Sequence, residues 1–220
     1  YTGATFGIEL CEDVWAPEPP STRLCLSGAD IIFNLSASDE LIGKHNYLCS
    51  LLSQQSARTM SGYVYSSSGF GESTQDLVYG GNALIYENGN EVASSERFSF
   101  ESQMIVAQID YEMLRAERRN NTTFINAQRP TSLSHTLPQV RFINCHSTQI
   151  RDFVLERYVN PTPFIPASAD MKESCEEIFN IQVAALAKRL VHTNCNTVVI
   201  GISGGLDSTL ALLVCVKTFD

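Results

Sequence analysis

"GISGGLDST", residues 201–209, decides how the C-terminal part of the chain is read. The run before it, "TVVIGIS" (197–203), has the continuous apolar composition of a buried strand, and the apolar residues beyond Ser208 predict a helix. Glycines between a strand and a helix let backbone N–H groups approach an anion, and the helix N-terminus adds about half a positive charge aimed at it. Gly204 and Gly205 provide that close approach. Ser203, Ser208 and Thr209 carry hydroxyls for phosphate oxygens, and Asp207 carries a carboxylate for a divalent ion bridging them. The G-K-[ST] ending of a Walker loop is absent.

Working back from this loop, Cys175, Ile178, Phe179, Val183, Leu186 and Leu190 trace one face of a helix over about residues 171–192. Residues 131–166, interrupted by Pro138, Pro161, Pro163 and Pro166, are expected to form an ordered connector. Ahead of them, short β-rich runs alternate with one clear helix. "TFGIEL" (5–10) and "ADIIFNLSAS" (29–38) predict strands, and "APEPPS" (16–21) between them breaks any regular element. Leu48, Leu51, Leu52, Gln55 and Thr59 fall near a 3.6-residue period and predict a helix over 46–60, packed on a sheet. "YVYSSSGFGES" (63–73) reads as a strand entering a glycine loop, and Asn88-Gly89 within "ALIYENGNEVAS" (83–94) predicts a tight hairpin. "QMIVAQID" (103–110) reads as a further strand, followed by the helical "YEMLRAERRNN" (111–121). Strands paired by hairpins and covered by helices predict a layered α/β sandwich rather than a doubly wound sheet.

Composition narrows the function. With 44% hydrophobic and 18% charged residues the chain is globular. A net charge of -9 and the lack of a basic stripe argue against nucleic acid, and no apolar run approaches the roughly 20 residues of a membrane span. Seven cysteines, without a C-x-x-C pair, point to neither a disulfide framework nor a zinc cage. A reducing, cytoplasmic setting fits them. The start at Tyr1, already strand-like, is expected of an internal piece of a longer polypeptide.

"GIELCEDVWAP" (7–17) places Cys11 where an apolar strand turns into an acidic loop. A thiol at such a strand end is presented for attack, with the next N–H, that of Glu12, free to face a developing oxyanion. Cysteine deprotonated by a base attacks amides to give a thioester that water hydrolyses. A lone cysteine is far more often a packing residue than a nucleophile, and the other six are read as inert.

The surrounding letters add a resemblance. "SGGLDS" (203–208) resembles the loop of the ATP pyrophosphatases, which adenylate a substrate oxygen and release pyrophosphate before a nitrogen or sulfur nucleophile enters. "CEDVWAP" (11–17), "NLSASDELIGK" (34–44), "YVYSSSGFGES" and "TQDLVYGGNALIYENG" (74–89) resemble, in order and spacing, the latter half of the nitrilase-type glutaminase domain of glutamine-dependent NAD+ synthetases. "FNIQVAALAKRL" (179–190) and "VVIGISGGLDST" (198–209) resemble the start of that family's synthetase domain.

The resemblance implies an α/β chain in three parts. Residues 1–130 would be the C-terminal portion of an αββα nitrilase-like sandwich, 131–168 a connector, and 169–220 the first strand, loop and helix of an adenine-nucleotide alpha-hydrolase-like domain. It implies a ligase that takes ammonia from glutamine through a Cys11 thioester and uses ATP and Mg2+ to amidate deamido-NAD+. Glu12 would help form the oxyanion hole; Ser38 and Lys44 would hold the glutamine α-amino and α-carboxylate groups, although Lys44 also reads as a solvated lysine and Ser38 as a helix cap. Ser203, Gly204, Gly205, Asp207, Ser208 and Thr209 would bind ATP and pyrophosphate, with Asp207 on the metal. Asp13 and Trp15 are family letters with a structural role. The family's general-base glutamate and oxyanion lysine precede the Cys11 strand, and its deamido-NAD+ pocket follows the glycine loop, so neither is expected among these residues. The 220 residues alone are expected to be inactive and the full-length enzyme to be a homo-oligomer acting on small molecules. A free-standing nitrilase or amidase, and an inactive scaffold, are the competing readings; the first leaves "SGGLDS" without a purpose.

Other features carry less. His45, His135, His146 and His192 lack carboxylates or cysteines at ligand spacing, so no metal site is expected from them. "GFGES" (69–73) reads as a turn shaping the amidase pocket, Tyr63, Tyr65 and Tyr79 as strand residues, and "RAERRNN" (115–121) as a solvated helix end.

Overall fold

Alternation along the first strand shows how the N-terminal part is layered: Gly7 and Glu9 are buried, whereas Phe6, Ile8 and Leu10 are exposed. In the computed structural model, which describes residues 3–72, 75–129, 137–141, 143, 154–166 and 170–220, this strand is β1 (Phe6–Leu10) of a five-stranded sheet. β2 (Ile31–Ser36), β3 (Gly62–Ser67), β4 (Ala83–Glu87) and β5 (Asn90–Ser94) follow in spatial order. β1, β2 and β3 are parallel, and β3, β4 and β5 antiparallel. The sheet is therefore mixed, and its β4–β5 edge is the hairpin expected at Asn88-Gly89.

Two parallel connections require two crossovers. The first holds α1 (Pro20–Leu26), absent from the sequence reading because "APEPPS" looks like a breaker. Pro20 is its first residue, where the missing N–H costs nothing. The second holds α2 (Lys44–Thr59), whose buried Leu48, Leu52, Gln55 and Thr59 carry the expected period. Both helices pack on one face of the sheet, over a core that includes Val14, Cys25, Ile32, Leu52, Tyr63, Tyr65 and Leu84. The Asn88-Gly89 turn is as expected, with φ of +47° and +90°. A Cβ at Gly89 would meet the Ala57 Cβ at 2.9 Å, so α2 as well as the turn requires glycine there.

Two expectations fail in the next stretch. Residues 103–110 pair with no strand among the described residues. Instead, Gln108 donates to the Val154 carbonyl at 2.6 Å and accepts from the N–H groups of Glu156 and Arg157. Ile109 presses so closely on Gly62 that a Cβ there would lie 2.8 Å from it, which puts this end of the run against the sheet face rather than beside an edge. Nor is 115–121 solvated throughout: Glu117, Arg119, Asn120 and Asn121 are exposed as expected, but two of its arginines are engaged. Arg115, on α3 (Tyr111–Asn120), makes a bidentate pair with buried Asp30 at 2.8 and 2.7 Å. Arg118 is itself buried, donates to the Thr59 carbonyl and stacks on Phe124 of α4 (Thr122–Ala127).

Contacts divide the chain into one unit of residues 1–157 and another of 158–220. The second contains α5 (Met171–Thr193) and α6 (Leu206–Phe219), packed together; Phe179, Val183, Leu186 and Leu190 form the less exposed face of α5. Residues 197–203, expected as a buried strand, have no ladder partner among the described residues, and Val199 is fully exposed. A parallel strand exists only through its neighbours. Of the expected connector, 131–136, 142, 144–153 and 167–168 lie outside the described residues, as do His135 and His146.

Burial raises the Cys25 thiol above its ordinary value of 9.0, and burial with the adjacent Glu9 raises the Tyr63 phenol. The folded state thus keeps protons that the unfolded chain releases first, so stability is complete below about pH 9 and falls as pH rises beyond it. Urea midpoints measured from pH 8 to 11 should decline, and Tyr63→Phe should make the decline shallower above pH 10.

Candidate active site

The carboxyl ends of the three parallel strands meet at a cleft of about 580 Å³ lined by Leu10, Cys11, Leu35, Ser36, Ala37, Ser66, Ser67 and Ser68. Parallel strands put all their carboxyl ends on one edge, and there the chain leaves the sheet and side chains become available to ligands. Cys11 follows the last residue of β1 and opens a short 3-10 turn, Cys11–Trp15, with φ of +43°. A left-handed conformation costs a non-glycine residue about 1–2 kcal/mol, so the surrounding structure must hold it. Asp13 contributes by accepting the Leu10 N–H at 2.8 Å, and Trp15 by stacking on Tyr47. Those contacts match the structural roles expected of both residues.

The Cys11 thiol is half-buried, in contrast to the sealed Cys25. Among the described residues no side chain is hydrogen-bonded to its sulfur. Glu12 is exposed in the same turn, at a position whose N–H has no intrahelical acceptor. Ser38 sits at the cleft rim, its N–H donating to Ser67 Oγ at 3.3 Å. Lys44 is not a free solvated lysine: its Nζ donates to the Asp39 carbonyl at 2.7 Å and to Asp39 Oδ1 at 3.0 Å, and lies over the Trp15 ring. It does not line the cleft. Phe70 and Gly71 form a turn closed by Glu72 N–H on the Gly69 carbonyl, beyond the cleft serines. The serine wall was missed in the sequence, although three consecutive serines ending an apolar strand are a visible signal.

The second set of residues lies in the second unit. Gly204 has φ of +82° and Gly205 is the N-cap of α6, so the backbone turns as the glycine loop requires. Ser203 Oγ and Ser208 Oγ are 3.2 Å apart. Ser208 and Thr209 hydroxyls both donate to the Gly205 carbonyl, at 3.1 and 2.9 Å, so in this state they turn back onto the helix backbone. Asp207 is in the first turn of α6. No group of three or more His, Cys, Asp or Glu side chains able to hold a metal occurs among the described residues, His45 and His192 included. One carboxylate among hydroxyls suits an ion such as Mg2+, which takes most of its oxygens from phosphate and water.

Among the described residues, a half-buried thiol at the ends of parallel strands and a glycine loop opening a helix are the two candidate sites of this α/β protein. Comparison with known proteins supplies the rest. The family model described as NAD synthase matches residues 178–220. Glutamine-dependent NAD(+) synthetases of Mycobacterium bovis and Mycobacterium leprae are 40% and 39% identical to the chain over 220 residues, covering 99% of it and 32% of each relative. A solved glutamine-dependent NAD+ synthetase from Acinetobacter baumannii, in complex with ADP, is 19% identical over 99% of this chain and 32% of that one, with a TM-score of 0.46. By sequence, then, the chain is a relative of the glutamine-dependent NAD(+) synthetases, spanning about a third of the length of the curated relatives it matches. Among the described residues no helix is long and apolar enough to cross a membrane.

If Asp13 holds the Cys11 turn, Asp13→Ala should cost about 1 kcal/mol in urea unfolding, as loss of a cap does. Asp13→Asn, which keeps an acceptor, should cost less.

Proposed function

We propose that the chain is part of a glutamine-hydrolysing NAD+ synthetase, a ligase in which Cys11 is the glutaminase nucleophile. The observation that carries this reading is the placement of Cys11, held at positive φ on the edge of a serine-walled cleft. The sulfur adds to the side-chain carbonyl carbon of glutamine; the C–N bond breaks, ammonia leaves, and water cleaves the thioester to glutamate. The Glu12 N–H, next in the chain to the nucleophile, would stabilise the oxyanion. Ser67 and Ser68 offer hydrogen bonds to a polar amino acid, and Ser38 at the rim, with Lys44 once it leaves Asp39, would hold its α-amino and α-carboxylate groups. The base and the oxyanion lysine are expected outside these residues.

The second half-reaction uses ATP to turn the nicotinate carboxylate of deamido-NAD+ into an acyl adenylate, releasing pyrophosphate; ammonia then displaces AMP. Gly204, Gly205 and the first N–H groups of α6 would cradle the pyrophosphate, with Ser203, Ser208 and Thr209 turning their hydroxyls toward it. Asp207 would hold Mg2+, which neutralises phosphate charge. Free ammonia becomes ammonium in neutral water and loses its lone pair, so joining both sites in one polypeptide keeps the nitrogen reactive. We place the full-length homo-oligomer in the reducing cytoplasm, where unpaired thiols such as Cys175 and Cys195 persist.

In the full-length enzyme, Cys11→Ala should abolish NAD+ formation from glutamine and leave formation from ammonium chloride near wild type. Equal loss of both would refute the division of labour. Gly204→Ala should slow both routes at least tenfold, since alanine is strained at that φ and backbone misplacement of about 1 Å costs rates of this order; undiminished ATP turnover would remove the loop from the reaction.

A further inference from the structure

Behind the cleft, the helix-covered face of the sheet buries polar side chains that neither reaction site uses. Glu9 is 2% exposed, and Asn34 and Tyr63 are wholly buried. Strand register sets Glu9 beside Asn34 and Tyr63 beside Ile32, so the three groups converge. The Tyr63 hydroxyl donates to Glu9 Oε1, and the Ser21 N–H donates to Oε2 at 2.7 Å. Asn34 Nδ2 donates one hydrogen to the Tyr63 hydroxyl at 3.2 Å and the other toward the Cys11 carbonyl at 3.5 Å. Ser36 Oγ, from the cleft wall, donates to Asn34 Oδ1 at 2.7 Å. Every direction of donation is consistent, so the chain is ordered from the cleft into the core.

Burying a carboxyl, an amide and a phenol is costly, and apolar residues of equal volume pack a core as well or better. What apolar residues lack is a hold on the backbone. This chain ends on the carbonyl of Cys11, the residue whose left-handed conformation needs support. The geometry points to Glu9, Tyr63 and Asn34 as positioning residues that fix the Cys11 turn and so aim its sulfur into the cleft. This rests on the nucleophile role proposed for Cys11. Burial and Glu9 hold the Tyr63 phenol above its ordinary range, which keeps it a donor.

The test is made in the full-length enzyme with Tyr63→Phe and Ser36→Ala, measuring glutamine hydrolysis and the rate at which iodoacetamide alkylates Cys11, followed by peptide mass spectrometry. Each variant should lower kcat about tenfold with KM within about twofold of wild type, as misaimed rather than unbound substrate requires. Cys11 alkylation should change by a similar factor while that of exposed Cys175 stays the same. Folded variants with wild-type kcat and wild-type Cys11 alkylation would overturn the proposal. Should Tyr63→Phe fail to fold, Ser36→Ala, which leaves all three buried groups in place, decides by itself. Cys11→Ala separates the two levels: hydrolysis surviving it refutes the nucleophile role, whereas hydrolysis lost there but untouched in the other variants refutes only the positioning.

Discussion

The in-register parallel ladder of β1, β2 and β3 is the constraint from which the N-terminal unit follows. Parallel neighbours oblige the chain to return over the sheet twice, and those returns are α1 and α2. The returns bury one face, which explains why Gly7, Glu9, Ile32, Asn34, Tyr63 and Tyr65 are hidden while their neighbours alternate outward. The same ladder brings three strand ends together and makes the cleft in which Cys11 stands. Shifting any of these strands by one residue would exchange the two faces and remove the thiol from the edge.

Ion pairs fasten the surroundings to this ladder. Asp30, at the entrance to β2, accepts from the Thr5 N–H and from Arg115 on α3, so one carboxylate ties β1, β2 and a helix remote in sequence. Glu87, at the end of β4, receives both arms of Arg157 and the Asp110 N–H. Glu40 receives Asn82 and Arg97, and lies so near Gly80 that a side chain there would collide with it. Because these carboxylates are largely buried, each pair is geometrically demanding rather than a loose surface contact.

What was legible in the sequence is what local chemistry dictates. Asn88-Gly89 announced its turn, the spacing of Leu48, Leu52, Gln55 and Thr59 announced a helix and its buried face, and Cys11 was found at a strand end. Long-range partners were illegible. Arg118 looks like any basic residue near a helix end until Thr59, Cys25 and Phe124 are known to surround it. Glu9 and Asn34 sit in runs whose apolar neighbours predicted the strands, and nothing local reveals that Tyr63 lies between them. Residues 103–110 and 197–203 carry strand composition without a strand neighbour among the described residues, a matter of tertiary contacts that composition cannot express.

The hairpin between β4 and β5 has a further consequence, for how the protein ages. An asparagine followed by glycine is prone to spontaneous deamidation, in which the glycine nitrogen attacks the asparagine amide and a succinimide ring closes. Here the Gly89 N–H is held by Ser56 Oγ at 3.2 Å, the Gly89 carbonyl accepts from Ser53 Oγ at 2.6 Å, and the Asn88 N–H is bonded to the Ser61 carbonyl. Ring closure therefore needs α2 and the hairpin to separate first, so the durability of this dipeptide is set by how often that part of the domain opens.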